Sequence, residues 1–308
     1  MGPKPEVSGL DEYRRLVALV DERRYEEILA RGRLLLEGEG PGSPAVEARV
    51  HNLLCWTLAE AMKKPCAEAV LHGDEAVRLA GGLPDPVLQA EGLVNLGAAR
   101  SALGEWEAAA AAYRYVQELL AEHPEALRHG LIIAATNLGC IAACQERFPE
   151  AVRQYDAAVA LCTGDEHAFF RFDLLRRKAV ALLRDGHVAE AERLLSQVDE
   201  TRLGGRGYSL WSKCQFRLAL CRLEMARGNW SRCRQLLAGA LALARELNDL
   251  SAMAEACCML AVMDYSEGRK EGWRRSRLAI NYAIASGRKD VLTDVRRRLK
   301  TFLDQEGG

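Results

Sequence analysis

Amide and guanidinium side chains, more than nucleophiles or metal ligands, are the groups whose placement in this sequence suggests chemistry. Asn95 and Asn137 each stand immediately before a Leu-Gly pair, Leu96-Gly97 and Leu138-Gly139. A side-chain amide offers both a donor and an acceptor, which suits the N–H and C=O groups of a peptide backbone. Arg177 occupies the corresponding place further along, beside Arg176 and within two turns of Arg184, and Arg222 follows one unit later. Together these arginines form a cationic section able to hold a carboxylate. Glu91, Thr136, Asp173 and Tyr265 are further candidates for the same face.

Other chemistry finds less support. His51 with Cys55, and Cys140 with Cys144, each share one helix face, but neither has a second pair to complete a metal site. His-Glu-x-x-His, a phosphate-cradling glycine loop and a nucleophile elbow are all missing from the sequence. Histidines 51, 72, 123, 129, 167 and 187 are scattered. No metal, no cofactor and no enzymatic activity are therefore expected. Arginines and lysines crowd residues 269–300, including Arg274, Arg275, Arg277, Arg288, Lys289, Arg296, Arg297, Arg298 and Lys300. Such a run can attract nucleic acid, although it lacks regular aromatic interleaving.

The elements that must position these groups are helices. The 308 residues are 49% hydrophobic and 28% charged, with 42 Lys+Arg against 43 Asp+Glu, the composition of a folded soluble chain. No apolar run approaches the ~20 residues of a membrane helix, and the opening MGPKPEVSGLDEYRR lacks the apolar core of a signal peptide. A cytoplasmic protein without a membrane partner is expected. Most of the ten cysteines, among them Cys55, Cys140, Cys144, Cys221, Cys257 and Cys258, sit between Ala and Leu, and read as reduced, small, buried residues.

Apolar residues recur at helical steps nearly everywhere, and Ala, Leu, Glu and Arg dominate. After the turn at Gly104-Glu105 comes the ladder Trp106, Ala109, Tyr113, Val116; the same ladder runs Phe148, Ala151, Tyr155, Ala158 and Trp230, Cys233, Leu237, Ala240. The second rungs, Ile28, Ala69, Ala109, Ala151, Ala191, Cys233 and Trp273, are separated by 41, 40, 42, 40, 42 and 40 residues. A period this regular marks internal repetition. Each unit resolves into two helices, with Gly104, Gly186, Gly228 and Gly268 in the turns within pairs and Asp85 and Asp165 as N-caps. The expected organisation is a flexible tail at 1–9, a repeat array at 10–286, a capping helix at 287–304 and a tail at 305–308. The capping helix gathers Val291, Leu292, Val295, Leu299, Phe302 and Leu303 on one side and Arg296 to Arg298 on the other.

These residues resemble the tetratricopeptide repeat (TPR). Leu96-Gly97 with Gly104, Trp106, Ala109 and Tyr113 matches its pattern, as does Leu138-Gly139 with Phe148, Ala151 and Tyr155. The resemblance implies an all-α, right-handed superhelical solenoid of about seven helix pairs plus a C-terminal capping helix, with first helices lining a concave groove. Units averaging nearly 41 residues are longer than the usual 34, and are similar to those of the peptide-responsive Rap and PlcR-like regulators, without their N-terminal effector domain. The implied function is a non-enzymatic scaffold that binds a protein or extended peptide in the groove, in bacterial signalling or transcription control. Asn95, Asn137, Arg177, Arg184 and Arg222 are the candidate contacts. The second reading is a nucleic-acid-associated accessory protein that uses the basic C-terminal end.

Overall fold

The computed structural model describes residues 8–38, 42–62, 66–121, 128–164, 167–198 and 209–306. Among them are fifteen α-helices and no strand: α1 (Gly9–Asp21), α2 (Tyr25–Glu37), α3 (Pro44–Trp56, continued by a π turn at Thr57–Ala61), α4 (Ala67–Gly81), α5 (Pro86–Ala102), α6 (Trp106–Ala121), α7 (Arg128–Cys144), α8 (Phe148–Leu161), α9 (Ala168–Arg184), α10 (Val188–Ser196), α11 (Ser209–Ala226), α12 (Trp230–Glu246), α13 (Leu250–Ser266), α14 (Glu271–Ala285) and α15 (Lys289–Glu306). These are the seven helix pairs and final helix that the period predicts. Asp85 caps α5 by accepting from the Leu88 N–H at 3.0 Å. Asp165, residues 1–7 of the expected tail, residues 307–308, and the side chains of Phe302 and Leu303 lie outside the described residues. The helices group into two compact units, Met1–Asn137 and Leu138–Gly308, with the division inside α7.

The repeat has a steric cause. In the first unit a Cβ on Gly97 of α5 would stand 2.7 Å from Tyr113 Cζ of α6, and Tyr113 is fully buried. In the second, a Cβ on Gly139 of α7 would stand 2.5 Å from Tyr155 Cε1 of α8. The Leu-Gly pair is thus the bed on which the tyrosine of the following helix lies. Turns within pairs need a left-handed residue: Gly104 adopts φ 79°, while Arg23 (57°) and Glu146 (61°) hold the same conformation with a side chain attached.

The rungs Ile28, Ala69, Ala109, Ala151, Ala191 and Cys233 are all fully buried, but Trp273 is 48% exposed. Helix α14 buries Gly272, Ser276, Ala279 and Ala283 instead. Its inward face is rotated by one residue, and a Cβ on Gly272 would stand 3.2 Å from the Tyr265 ring, a tight contact that the glycine avoids. Trp273 is turned outward under the Arg277 guanidinium, 4.8 Å from the ring centre.

Within each unit the first helices of successive pairs touch: α1 meets α3 and α3 meets α5; α9 meets α11, α11 meets α13, and α15 continues the row beside α13. Among the described residues the second helices make no comparable contact with one another. A row in contact on one side and splayed on the other curves toward the contacting side. The first helices are therefore the inner wall of each unit.

Candidate functional site

In the first unit the inner wall carries a short amide row. Asn95 of α5 donates from Nδ2 to Asn52 Oδ1 of α3 at 2.7 Å, and both residues are half-buried. Two primary amides joined by one such bond leave an NH2 on one and a carbonyl oxygen on the other, whichever way each amide is turned. Asn137 donates from Nδ2 to the Tyr113 hydroxyl at 3.0 Å, so its carbonyl oxygen is the group left over. Asn95 is therefore paired with Asn52, one repeat earlier, rather than with Asn137. Asn52 occupies the same phase as Asn95 and Asn137, 43 and 85 residues before them, but the Leu-Gly signature is replaced there by Leu53-Leu54.

In the second unit the predicted arginines divide. Arg177 of α9 is engaged internally: its Nε donates to Asp173 Oδ2 at 2.6 Å and its Nη1 lies 3.0 Å from Cys140 Sγ. Arg176 donates to the other oxygen of the same carboxylate at 2.6 Å. Burial penalises the Asp173 charge, but the two guanidiniums outweigh it and hold its carboxyl well below the usual range. Asp173 and Arg177 are thus partners of each other. Tyr265 is likewise structural, lying over Gly272 and receiving the Ser276 hydroxyl at 3.3 Å. Thr136 donates to the Ile132 carbonyl at 2.6 Å, and Glu91 is exposed.

Arg184 and Arg222 come together around a helix that the sequence places elsewhere. The row of first helices in this unit curves tightly enough for α15 to face the ends of α7 and α9. Arg297 of α15 donates to the Cys144 carbonyl at 3.2 Å and pairs with Glu146 at 2.9 Å. Arg184 approaches the Ala143 carbonyl at 3.4 Å, Glu146 at 3.5 Å and Asp294 of α15 at 3.7 Å, with its guanidinium 4.8 Å from the Phe148 ring centre. Guanidiniums at the last carbonyls of α7 also suit the negative end of that helix. Arg222 of α11 holds Glu255 of α13 with two donors, at 2.7 and 3.1 Å. Asp294 additionally pairs with Arg297 and Arg298 of its own helix.

Four guanidiniums here face three carboxylates, Glu146, Glu255 and Asp294. Burial, reinforced by Arg298, Arg297 and Arg222, pushes the Arg184 pKa down to about 10 against the pull of Asp294. Burial and Arg222 lower that of Arg298 as well. Asp294 is held below the ordinary carboxylate value, the surrounding arginines outweighing its burial. Beside these groups opens a cavity of about 430 Å³. Leu183, Met225, Met259 and Val262 supply its apolar surface, and Arg184, Arg222, Arg297 and Arg298 its charge.

The basic C-terminal run is therefore partly turned inward. Arg297 and Arg298 join this network, Arg275 pairs with the fully buried Asp264, and Arg288 pairs with Asp290 at 2.7 Å. The uniform reading of the cysteines also needs correcting. Cys221 and Cys233 are joined, because the tight turn between α11 and α12 brings their Cα atoms to 4.7 Å, within disulfide reach. The pairing of His51 with His72, Nδ1 to Nδ1 at 2.9 Å, joins two helices and carries no sequence signal. Among the described residues no group of three or more His, Cys, Asp or Glu is placed to hold a metal, and no helix is long and apolar enough to cross a membrane.

No family model matches the chain, and no curated protein matches it. Solved structures do. The Rap conjugation gene regulator of plasmid pLS20, solved with the Phr* peptide, aligns with a TM-score of 0.65 over 100% of this chain and 92% of that one, at 12% identity. The apo form of RapI gives 0.61 over 95% and 96%, at 13% identity. A Podospora anserina protein of nearly identical TPR-like repeats, described as a kinesin light chain, gives 0.51 over 67% and 99%, at 20% identity. At these identities the likeness is one of fold, and it agrees with the Gly–Tyr packing and inner row of first helices: the chain has the TPR-type helical-repeat fold also found in the Rap regulators.

Proposed function

We propose that the chain is a non-enzymatic scaffold that holds an extended peptide or protein segment along its first helices, in bacterial signalling or transcription control. The observation that carries this reading is the Asn52–Asn95 pair. Its leftover NH2 and carbonyl oxygen, set side by side on an inner wall, match the C=O and N–H of one peptide unit in an extended segment. Asn137 offers another acceptor on the next first helix. A peptide as the partner class is further supported by the Phr* peptide bound to the pLS20 regulator of the same fold.

The test is selection of random peptides displayed on phage against the purified chain, followed by titration of the selected peptides against variants. Each backbone hydrogen bond is worth about 0.5–1.5 kcal/mol. Asn52→Ala combined with Asn95→Ala should therefore weaken binding by roughly five- to a hundredfold, with helix content and melting retained. Selected peptides that bind this double variant as tightly as the parent chain refute the assignment of the amide row.

A further inference from the structure

We infer that the solvent face of α14 docks on an anionic lipid surface, with Trp273 and Ile284 entering the headgroup layer and Lys270, Arg274 and Arg277 meeting the lipid anions. The inference concerns the second unit alone and does not depend on the peptide-binding reading.

Exposed apolar side chains are the first argument. Trp273 (48%), Leu278 and Ile284 (55%) are all exposed on this one helix, and no other helix among the described residues exposes more than two large apolar side chains. The inward face is already occupied, by Gly272, Ser276, Ala279 and Ala283. At about 100° per residue, Trp273, Arg277 and Ile284 fall within roughly 40° of one another, in a row about 16 Å long.

Charge is the second argument. Lys270, Arg274 and Arg277 share the exposed face with one carboxylate, Glu271. Lys270 and Arg274 form no hydrogen bond or ion pair among the described residues, and Arg277 rests on the Trp273 ring instead of on a carboxylate. The neighbouring Arg269, Arg275 and Arg288 are paired, with Glu267, Asp264 and Asp290 respectively. Cations of this region that face inward are therefore matched within the fold, and those on the solvent face of α14 are left for an anionic partner.

The combination selects that partner. An indole beside a guanidinium, with aliphatic groups and further cations on the same helix, suits a membrane interface: the ring sits at headgroup level and the basic groups stay with the lipid anions. Nucleic acid would use the cations and stack on one ring, but would leave Ile284 and Leu278 in water. An acidic partner helix would need an apolar groove to lie in, whereas Trp273 and Ile284 project from the outer side of a single helix. A helix too short or too polar to cross a bilayer can still lie along its surface.

The experiment floats the full chain with vesicles of phosphatidylcholine alone and of phosphatidylcholine with about one-third phosphatidylserine. We expect binding to the mixed vesicles, at least tenfold weaker binding to the neutral ones, and a comparable loss when salt rises from about 0.1 to 0.5 M. Trp273→Ala should weaken binding about tenfold, and Lys270→Gln combined with Arg274→Gln about tenfold, with melting unchanged because all three side chains are exposed. Leu71→Ala removes an exposed leucine of the first unit and should change nothing. Equal binding to the two kinds of vesicle overturns the inference without any variant, as does failure to float with either. Vesicle binding that survives Trp273→Ala moves the contact off α14 and refutes it. Tighter binding of a single-stranded oligonucleotide or of polyglutamate, lost in Trp273→Ala, reassigns the face to nucleic acid or to an acidic protein and overturns the inference as well. None of these results touches the peptide titrations with the Asn52 and Asn95 variants.

Discussion

Replacing Asp294 by Asn tests the ion network of the second unit most directly. Asp294 is the carboxylate that links α15 to Arg184, Arg297 and Arg298, and it lowers the repulsion among four guanidiniums. Removing one partner of a buried ion pair costs about 3–5 kcal/mol, because the other charge is left uncompensated. The Asp294 side chain is 26% exposed, so water recovers part of that cost, and about 2–3 kcal/mol remains. For a unit of this size each kcal/mol moves the midpoint by roughly 2–4 °C, which gives a fall in Tm of about 4–12 °C. Circular dichroism melts at pH 7 measure it, with Asp156→Asn as the comparison. Asp156 pairs with Lys178 at 2.7 Å but is 52% exposed, and its loss should cost at most about 1 kcal/mol and move Tm by no more than about 4 °C. The Asp294 effect should survive 0.5 M salt, which screens exposed pairs far more than buried ones. Since the folded-state pKa of Asp294 is depressed, its stabilisation is full above the unfolded value near pH 4 and is lost as pH falls through the folded one; parent and variant melts should converge in acid. A Tm within 1 °C of the parent chain at pH 7 refutes the network as a source of stability.

The His51–His72 pair gives a second prediction. Burial, aided by the His51 charge, pushes the His72 pKa down to about 4, so the unfolded chain binds the proton that the folded one refuses. Stability should therefore be full above about pH 6.5 and fall by about 2–3 kcal/mol toward pH 4, and urea melts of His72→Gln should lose most of that slope between pH 6.5 and 5. Gly139→Ala should destabilise despite a helix-propensity gain of about 1 kcal/mol, because the added methyl stands 2.5 Å from the Tyr155 ring and overpacking costs about 1–3 kcal/mol. In a Tyr155→Leu background, chemical denaturation should show the same change to be neutral or stabilising. Arg23→Gly should raise stability by about 0.5–1 kcal/mol in the same assay, since Arg23 is exposed and held at φ 57°.

Helices and their pairing were legible in the sequence because their causes are local. Glycine turns, Leu-Gly beds and buried rungs lie within one or two helices of each other, so a period of about 41 residues exposes them. Legibility ended where a one-residue rotation preserved the helix, as when α14 buried Gly272 and Ser276 and turned Trp273 outward. Asn52 escaped because its flanking signature is Leu-Leu, although its phase matches Asn95. Arg177 has the residue type and phase of a groove contact, but Asp173, one turn earlier on the same helix, claims it. The meeting of Arg184 with Asp294 depends on the curvature of a row of helices, which is summed over many small rotations and written at no single position.

Most contacts in a repeat array join neighbours, so such chains can fold progressively as they are made. The bond from Arg297 to the Cys144 carbonyl spans 153 residues. At about 5–20 residues per second of synthesis, α7 waits roughly 8–30 s on the ribosome for α15 to emerge. Near the end of that interval, once α13 has emerged and α15 has not, α13 shows Ala254, Cys258 and Ala261, which share a core cluster with Val295 and Leu299 of α15. A nascent chain paused before α15 thus presents an open, apolar inner wall, and the second unit acquires its closed ion network only as the last step of its assembly.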